Sequence, residues 1–110
     1  IQKTNVPEIL QIDCLATDFY RKGKAYPSWL FFNPYAVEKM VVIDLGKRKV
    51  DVYDTVSRTM LKQGVSGNFQ FVVPADQARL LVIIPAGTKM SQKNGVLMAG
   101  KVVVDYRYGR

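Results

Sequence analysis

The chain has 110 residues, the size of one small domain with a single core. It is 48% apolar and 23% charged, a globular balance that excludes a disordered chain. A net charge of +7 raises nucleic acid or an anionic surface as partners, but the cations are dispersed in short loops rather than gathered in one block.

Histidine is absent, which removes the commonest general base, the usual metal ligand and every histidine-dependent triad. The single cysteine, Cys14, excludes an internal disulfide and a cysteine-rich zinc site. No apolar run approaches the ~20 residues that cross a bilayer as a helix, so no membrane span is expected. No secretory leader is visible, and the chain opens on Ile1. That fits a mature form, or a domain within a longer protein, the second being favoured. Residues 1–8 then read as a linker or domain-entry segment and residues 9–110 as the β-sandwich domain.

In chain order, Leu10, Ile12 and Cys14 alternate with Gln11 and Asp13, a strand pattern. Residues 21–27 form a polar turn around Gly23. Ser28-Trp29-Leu30-Phe31-Phe32 is a second strand, closed by Asn33-Pro34. Residues 39–45 and 49–54 are two β-branched runs separated by Gly46-Lys47-Arg48, the pattern of a β-hairpin. After a short segment at 59–62 and a Gly64-Val65-Ser66-Gly67 turn, Phe69, Phe71 and Val73 alternate with Asn68 and Gln70. Pro74 to Gln77 has hairpin length and predicts that this strand pairs with the next.

That next run, Leu80-Leu81-Val82-Ile83-Ile84, is five consecutive large apolar residues bounded by prolines 74 and 85. It is too short for a typical helix and predicts a central strand covered on both faces. Leu81 and Ile83 fill one face. Leu80, Val82 and Ile84 need a cover on the other, from a loop, a chain terminus or a partner. A last strand places Val102, Val104, Tyr106 and Tyr108 on one side.

Seven to nine short strands, turn signals every eight to twelve residues and no sustained helical period predict an all-β fold. Its class is an antiparallel β-sandwich, Greek-key and immunoglobulin-like in the broad sense. The expected core is Ile12, Leu30, Phe32, Val41, Ile43, Val50, Val52, Phe69, Phe71, Leu81, Ile83, Val102 and Val104.

Catalytic chemistry is not legible. Asp51 and Asp54 are three apart, which on a strand puts them on opposite faces, and no Gly-x-Ser-x-Gly elbow or phosphate loop is present. A calcium site from Asp51, Asp54 or Asp105 lacks the acid density of a dedicated loop. No cofactor and no metal are expected. The aromatics offer a binding reading beside a packing one. Aromatic faces stack on the C–H faces of sugar rings, and Tyr26, Trp29, Tyr35 and Tyr53 are the carbohydrate-binding candidates. Residues 19–26 mix aromatic and basic types as single-strand nucleic-acid binders do, giving an OB-like domain as a distant alternative; the mixture occurs only once, which argues against nucleic acid.

Several segments together resemble a known family. They are Asp18-Phe19-Tyr20 with Ala25-Tyr26-Pro27-Ser28-Trp29-Leu30-Phe31-Phe32-Asn33-Pro34-Tyr35, Val52-Tyr53-Asp54-Thr55-Val56-Ser57, Val65-Ser66-Gly67, Val72-Val73-Pro74-Ala75-Asp76, Val82-Ile83-Ile84-Pro85-Ala86-Gly87 and Gly100-Lys101-Val102-Val103-Val104-Asp105-Tyr106. The chain from about Ile9 onwards is similar to the C-terminal β-sandwich modules of secreted carbohydrate-active enzymes of Bacteroides-type gut bacteria. The resemblance implies a secreted, periplasmic or cell-surface accessory domain without catalytic residues, packed on the catalytic domain of the same parent chain. A glycoside hydrolase-like parent is implied, and a polysaccharide is the second partner class. As a stabilising module the domain should carry an exposed apolar patch on one sheet face; as a carbohydrate-binding module it should carry an aromatic groove.

Overall fold

The computed structural model describes residues 2–14 and 26–105. Among them are eleven short strands and no helix, every paired strand antiparallel. The all-β, sandwich-like expectation holds, with more strands than the seven to nine expected because the ends of the chain add short ones. These are β1 (Gln2–Lys3), β2 (Leu10–Asp13), β3 (Ser28–Phe32), β4 (Lys39–Asp44), β5 (Val50–Asp54), β6 (Thr59–Val65), β7 (Asn68–Val73), β8 (Ala78–Pro85), β9 (Met90–Lys93), β10 (Val96–Ala99) and β11 (Val102–Asp105).

Six of them form one sheet in the order β1-β2-β3-β8-β5-β6. The apolar run is its interior strand β8, flanked by β3 and β5. Both of its faces are covered, by different sheets. On one side the β4–β7 pair packs Val41, Ile43, Phe69, Phe71 and Val73 against Phe31, Val52 and Leu81. Phe31 meets Phe71 edge to face, with ring centroids 5.0 Å apart. On the other side the meander β9-β10-β11 packs Leu97, Ala99 and Val104 against Tyr53, Val82 and Ile84. The sandwich is thus three layers deep at β8, and the cover for Val82 and Ile84 comes from the C-terminal strands.

Two pairings differ from the sequence expectation. Residues 39–45 and 49–54 are not a hairpin, because β4 pairs with β7 while β5 pairs with β6 and β8. β7 and β8 are not neighbours either, and the connection at residues 74–77 crosses between sheets. Short loops of hairpin length serve as crossings because strands successive in sequence bury their apolar faces against each other rather than side by side. The β3–β4, β4–β5, β6–β7 and β7–β8 connections all cross, as a Greek-key sandwich requires.

Asn33 locks two of these crossings. Its side-chain amide donates to the carbonyls of Val37, Val73 and Pro74 at 2.9–3.2 Å, and its oxygen accepts the Tyr35 N–H. The segment expected as a linker is tied to the fold. β1 pairs with β2, and the Asn5 side chain accepts from Val42 N and donates to Met40 O along the β4 edge. At the other edge, β6 carries two register shifts against β5. One leaves Leu61 as an extra residue next to Lys62. The other falls at Gly64, where φ is +64° and the N–H donates to Asp51. Leu61 and Lys62 face Phe69, Gln70, Phe71 and Val72 across a groove of about 250 Å³.

The core is otherwise as expected at Val41, Ile43, Val52, Phe69, Phe71, Leu81 and Val104, while Ile12, Leu30, Val50, Ile83 and Val102 are half-buried. Strand β3 is the exception. Phe31 is fully buried and Phe32 is 47% exposed. Apolar residues stand on both faces of β3, so alternation alone does not say which face is inward. Residues 15–25 and 106–110, including Phe19, Tyr20, Tyr106 and Tyr108, lie outside the described residues. Phe31→Ala is expected to cost about 3–5 kcal/mol in urea denaturation, whereas Phe32→Ala stays within about 1 kcal/mol.

Candidate functional site

The most concentrated polar constellation is at the start of the β5–β6 turn. Asp54 ends β5 on the face that looks toward β4–β7, and its side chain is fully buried. One carboxylate oxygen accepts from Leu80 N at 3.0 Å and Val56 N at 3.2 Å. The other accepts from Arg79 Nη1 at 2.8 Å, the Ser57 hydroxyl at 2.7 Å and Ser57 N at 3.1 Å. The Ser57 hydroxyl also contacts that of Thr59. Arg79 reaches on to the Val72 carbonyl with Nε at 2.9 Å, bridging the large sheet to β7.

Burial works against the Asp54 charge, but the Arg79 guanidinium, the Ser57 hydroxyl and the amides of Leu80 and Ser57 outweigh it. They hold the carboxyl below its usual range. With all its acceptor positions engaged by the chain, Asp54 is neither a free base nor an open ligand. The other two aspartates weighed for a calcium site, Asp51 and Asp105, are committed elsewhere. Asp51 accepts from Gly64 N and Gly87 N, and Asp105 accepts from the Tyr53 hydroxyl. Asp51 shares a sheet face with Tyr53 and Asp54 lies on the opposite one, as their spacing predicts. Among the described residues no group of three metal-ligating side chains converges. Every buried side-chain nitrogen or oxygen there has a hydrogen-bond partner.

The four aromatic candidates are dispersed. Tyr53 is only 3% exposed, with its hydroxyl on Asp105, so it presents no ring to solvent. Tyr26 packs on the same cluster and donates to Ala99 O. Together these two tyrosines fasten the β9–β11 layer to the large sheet. Trp29 and Tyr35 pack on the opposite cluster. The Tyr35 hydroxyl donates to Pro7 O at 2.7 Å and Lys39 Nζ stands 4.6 Å over its ring, covering one face. The tyrosines serve as fasteners between layers, and the four do not form one groove.

What the register does bring together is apolar. Ile12 lies opposite Leu30, which lies opposite Leu80, and Phe32 lies opposite Ala78. Leu10, the first residue of β2, lies level with Phe32. These side chains share the sheet face that carries Val82 and Ile84, but they extend past the β9–β11 layer. Leu10 is 39% exposed and Phe32 47%. A pocket of about 450 Å³ is lined by residues 3–10, but Val6 and Ile9 in its wall pack on the opposite cluster, under β4–β7. Sequence reasoning named the need for a cover over Leu80, but assigned Phe32 to the core and so missed the patch.

Compared with protein-family models, with curated proteins and with solved structures, the chain finds no match in any of the three. No helix of the described residues is long and apolar enough to cross a membrane.

The depressed pKa of Asp54 sets a pH dependence. Above the unfolded carboxylate value of about 4 its contribution to stability is fully present. It is lost as pH falls through the lower folded value, because the unfolded state takes up the proton first. Asp54→Asn is expected to lower stability at pH 7 by about 3–5 kcal/mol. It should also flatten the acid limb of a stability profile measured by urea denaturation between about pH 2 and 7.

Proposed function

We propose that this domain is a non-catalytic accessory β-sandwich of a glycan-degrading enzyme, one that docks on the catalytic domain of its parent chain and stabilises it. The observation that carries the reading is the half-covered face of the large sheet. Its apolar row runs from Val82 in the buried cluster under β9–β11 through the half-buried Leu80 and Leu30 and ends on Leu10 and Phe32, which are exposed. Contiguous apolar surface on a folded domain is the mark of a contact site.

The segments that resemble accessory modules support the same reading. Asn33, Asp54, Asp51 and Asp105 all lie in or beside them, and each is engaged in holding loops and layers of this chain. A secreted or periplasmic setting and a glycoside hydrolase-like parent belong to the proposal through that resemblance. Recognition of neutral sugars by stacked aromatics draws no support from Tyr53, which is buried, or from Tyr35, whose ring and hydroxyl are both engaged.

The test uses the parent protein that carries the residues upstream of Ile1. Those residues are expected to encode a carbohydrate-active catalytic domain. The double variant Leu10→Gln with Phe32→Gln should lower that domain's melting temperature by about 4–8 °C, while the 110-residue chain alone keeps its own. An unchanged parent Tm, or an upstream sequence with no catalytic domain, overturns the proposal. So does a neutral oligosaccharide bound by the isolated chain and lost on Trp29→Ala, which would make it a carbohydrate-binding module.

A further inference from the structure

The antiparallel topology gathers four connections at one end of the sandwich: β4–β5, β6–β7, β8–β9 and β10–β11. Backbone hydrogen bonds stitch them together. Gly67 N donates to Gly46 O, Ala86 N to Lys49 O, and Gly100 N to Lys89 O. This arrangement collects Lys47, Arg48, Lys49, Lys89 and Lys101 at a single pole, all of them exposed. None forms an ion pair with a described residue, whereas Arg79 is paired with Asp54. The acids at this pole are Asp44, which accepts from Gly46 N, and Asp51, which is buried on Gly64 and Gly87. The opposite end mixes Glu38, Asp54, Asp76 and Asp105 with Lys39, Arg58, Arg79 and Lys93, so the excess of positive charge lies at the loop end.

We infer that this loop end is a binding surface for an acidic polysaccharide, a polymer bearing repeated carboxylates or sulfates. An exposed ion pair contributes little by itself. Several cations fixed on stitched loops need a ligand that presents several anions on one chain, so a polymer is bound where a single sugar acid is not. Arg48 adds a fork that matches a carboxylate or sulfate with two parallel hydrogen bonds. Single-stranded nucleic acid is the weaker fit, because its binders stack successive bases on open aromatic rings, whereas Tyr26, which stands beside Gly100 at this end, is packed on the buried cluster with its hydroxyl on Ala99 O. The ligand class rests on the glycan setting proposed above. The surface itself is separate from the apolar face, and loss of docking through Leu10 and Phe32 leaves it intact.

The experiment measures binding of the 110-residue chain to polygalacturonate, dextran sulfate, neutral dextran and single-stranded DNA at about 50 mM salt, where charges are weakly screened. The two acidic glycans should bind and neutral dextran should not. The triple variant K47Q/R48Q/K49Q should weaken binding roughly tenfold through loss of clustered charge, and the charge-matched triple K3Q/K62Q/K93Q by less than about twofold. All six side chains are exposed or on open loops and edges, so circular dichroism should be unchanged in both. Equal losses in the two triples would reduce the effect to net charge and overturn the inference. It is equally overturned if neither acidic glycan binds, or if DNA of matched charge binds more tightly than both.

Discussion

A strand that is apolar on both sides must be enclosed on both sides, and this requirement organises the molecule. Residues 80–84 of β8 supply the demand. The β4–β7 pair answers it on one face and the β9–β11 meander on the other. The two covers differ in kind. β4 and β7 are reached by loops that cross between sheets, so the first core draws on residues far apart in sequence. The second cover is a compact run of consecutive strands, attached through Leu97, Ala99 and Val104 and fastened by the hydroxyls of Tyr53 and Tyr26. Because the meander is narrower than the sheet it rests on, enclosure stops part-way along the face, and the row through Leu30, Phe32 and Leu10 begins there.

Polar groups inside such a stack are costly unless hydrogen-bonded. Asp54, Arg79 and Asn33 meet this condition by joining backbone amides and carbonyls that belong to different layers. Arg79 touches β5 through Asp54 and β7 through Val72 O, and Asn33 binds carbonyls from both the β3–β4 and β7–β8 crossings. The charge on Asp54 is therefore a structural element. Its hydrogen bonds set the β5–β6 turn and the approach of β8 at once.

Composition and alternation made the strands, their antiparallel character and the central place of β8 legible in the sequence. Phe69 and Phe71, which alternate with Asn68 and Gln70, were legible as core because a period of two leaves only one face to bury. Partner choice was not. Loops such as residues 74–77 have hairpin length, and nothing local distinguishes a turn within a sheet from a crossing between sheets. Phe31 and Phe32 are equally apolar, so the inward face of β3 is decided by Phe71 on a distant strand. Tyr53 looked available for a ligand because its partner, Asp105, lies 52 residues away. The basic pole was hidden for the same reason: Lys49 and Lys101, far apart in sequence, reach the same end only through the stitching of the loops between them.

The irregularity in β6 bears on how molecules of this protein meet one another. A regular outer strand offers its free amides and carbonyls to any extended chain, and stacked copies can then propagate as fibrils. Here the extra residue at Leu61 and the left-handed Gly64 break the spacing of those groups, and Lys62 sets a charge beside the groove that an intruding strand would enter. Arg79 occupies the Val72 carbonyl on the facing edge of β7, and Asn5 does the same for β4. The margins at β4, β6 and β7 are thus chemically occupied, which disfavours the addition of a further strand there.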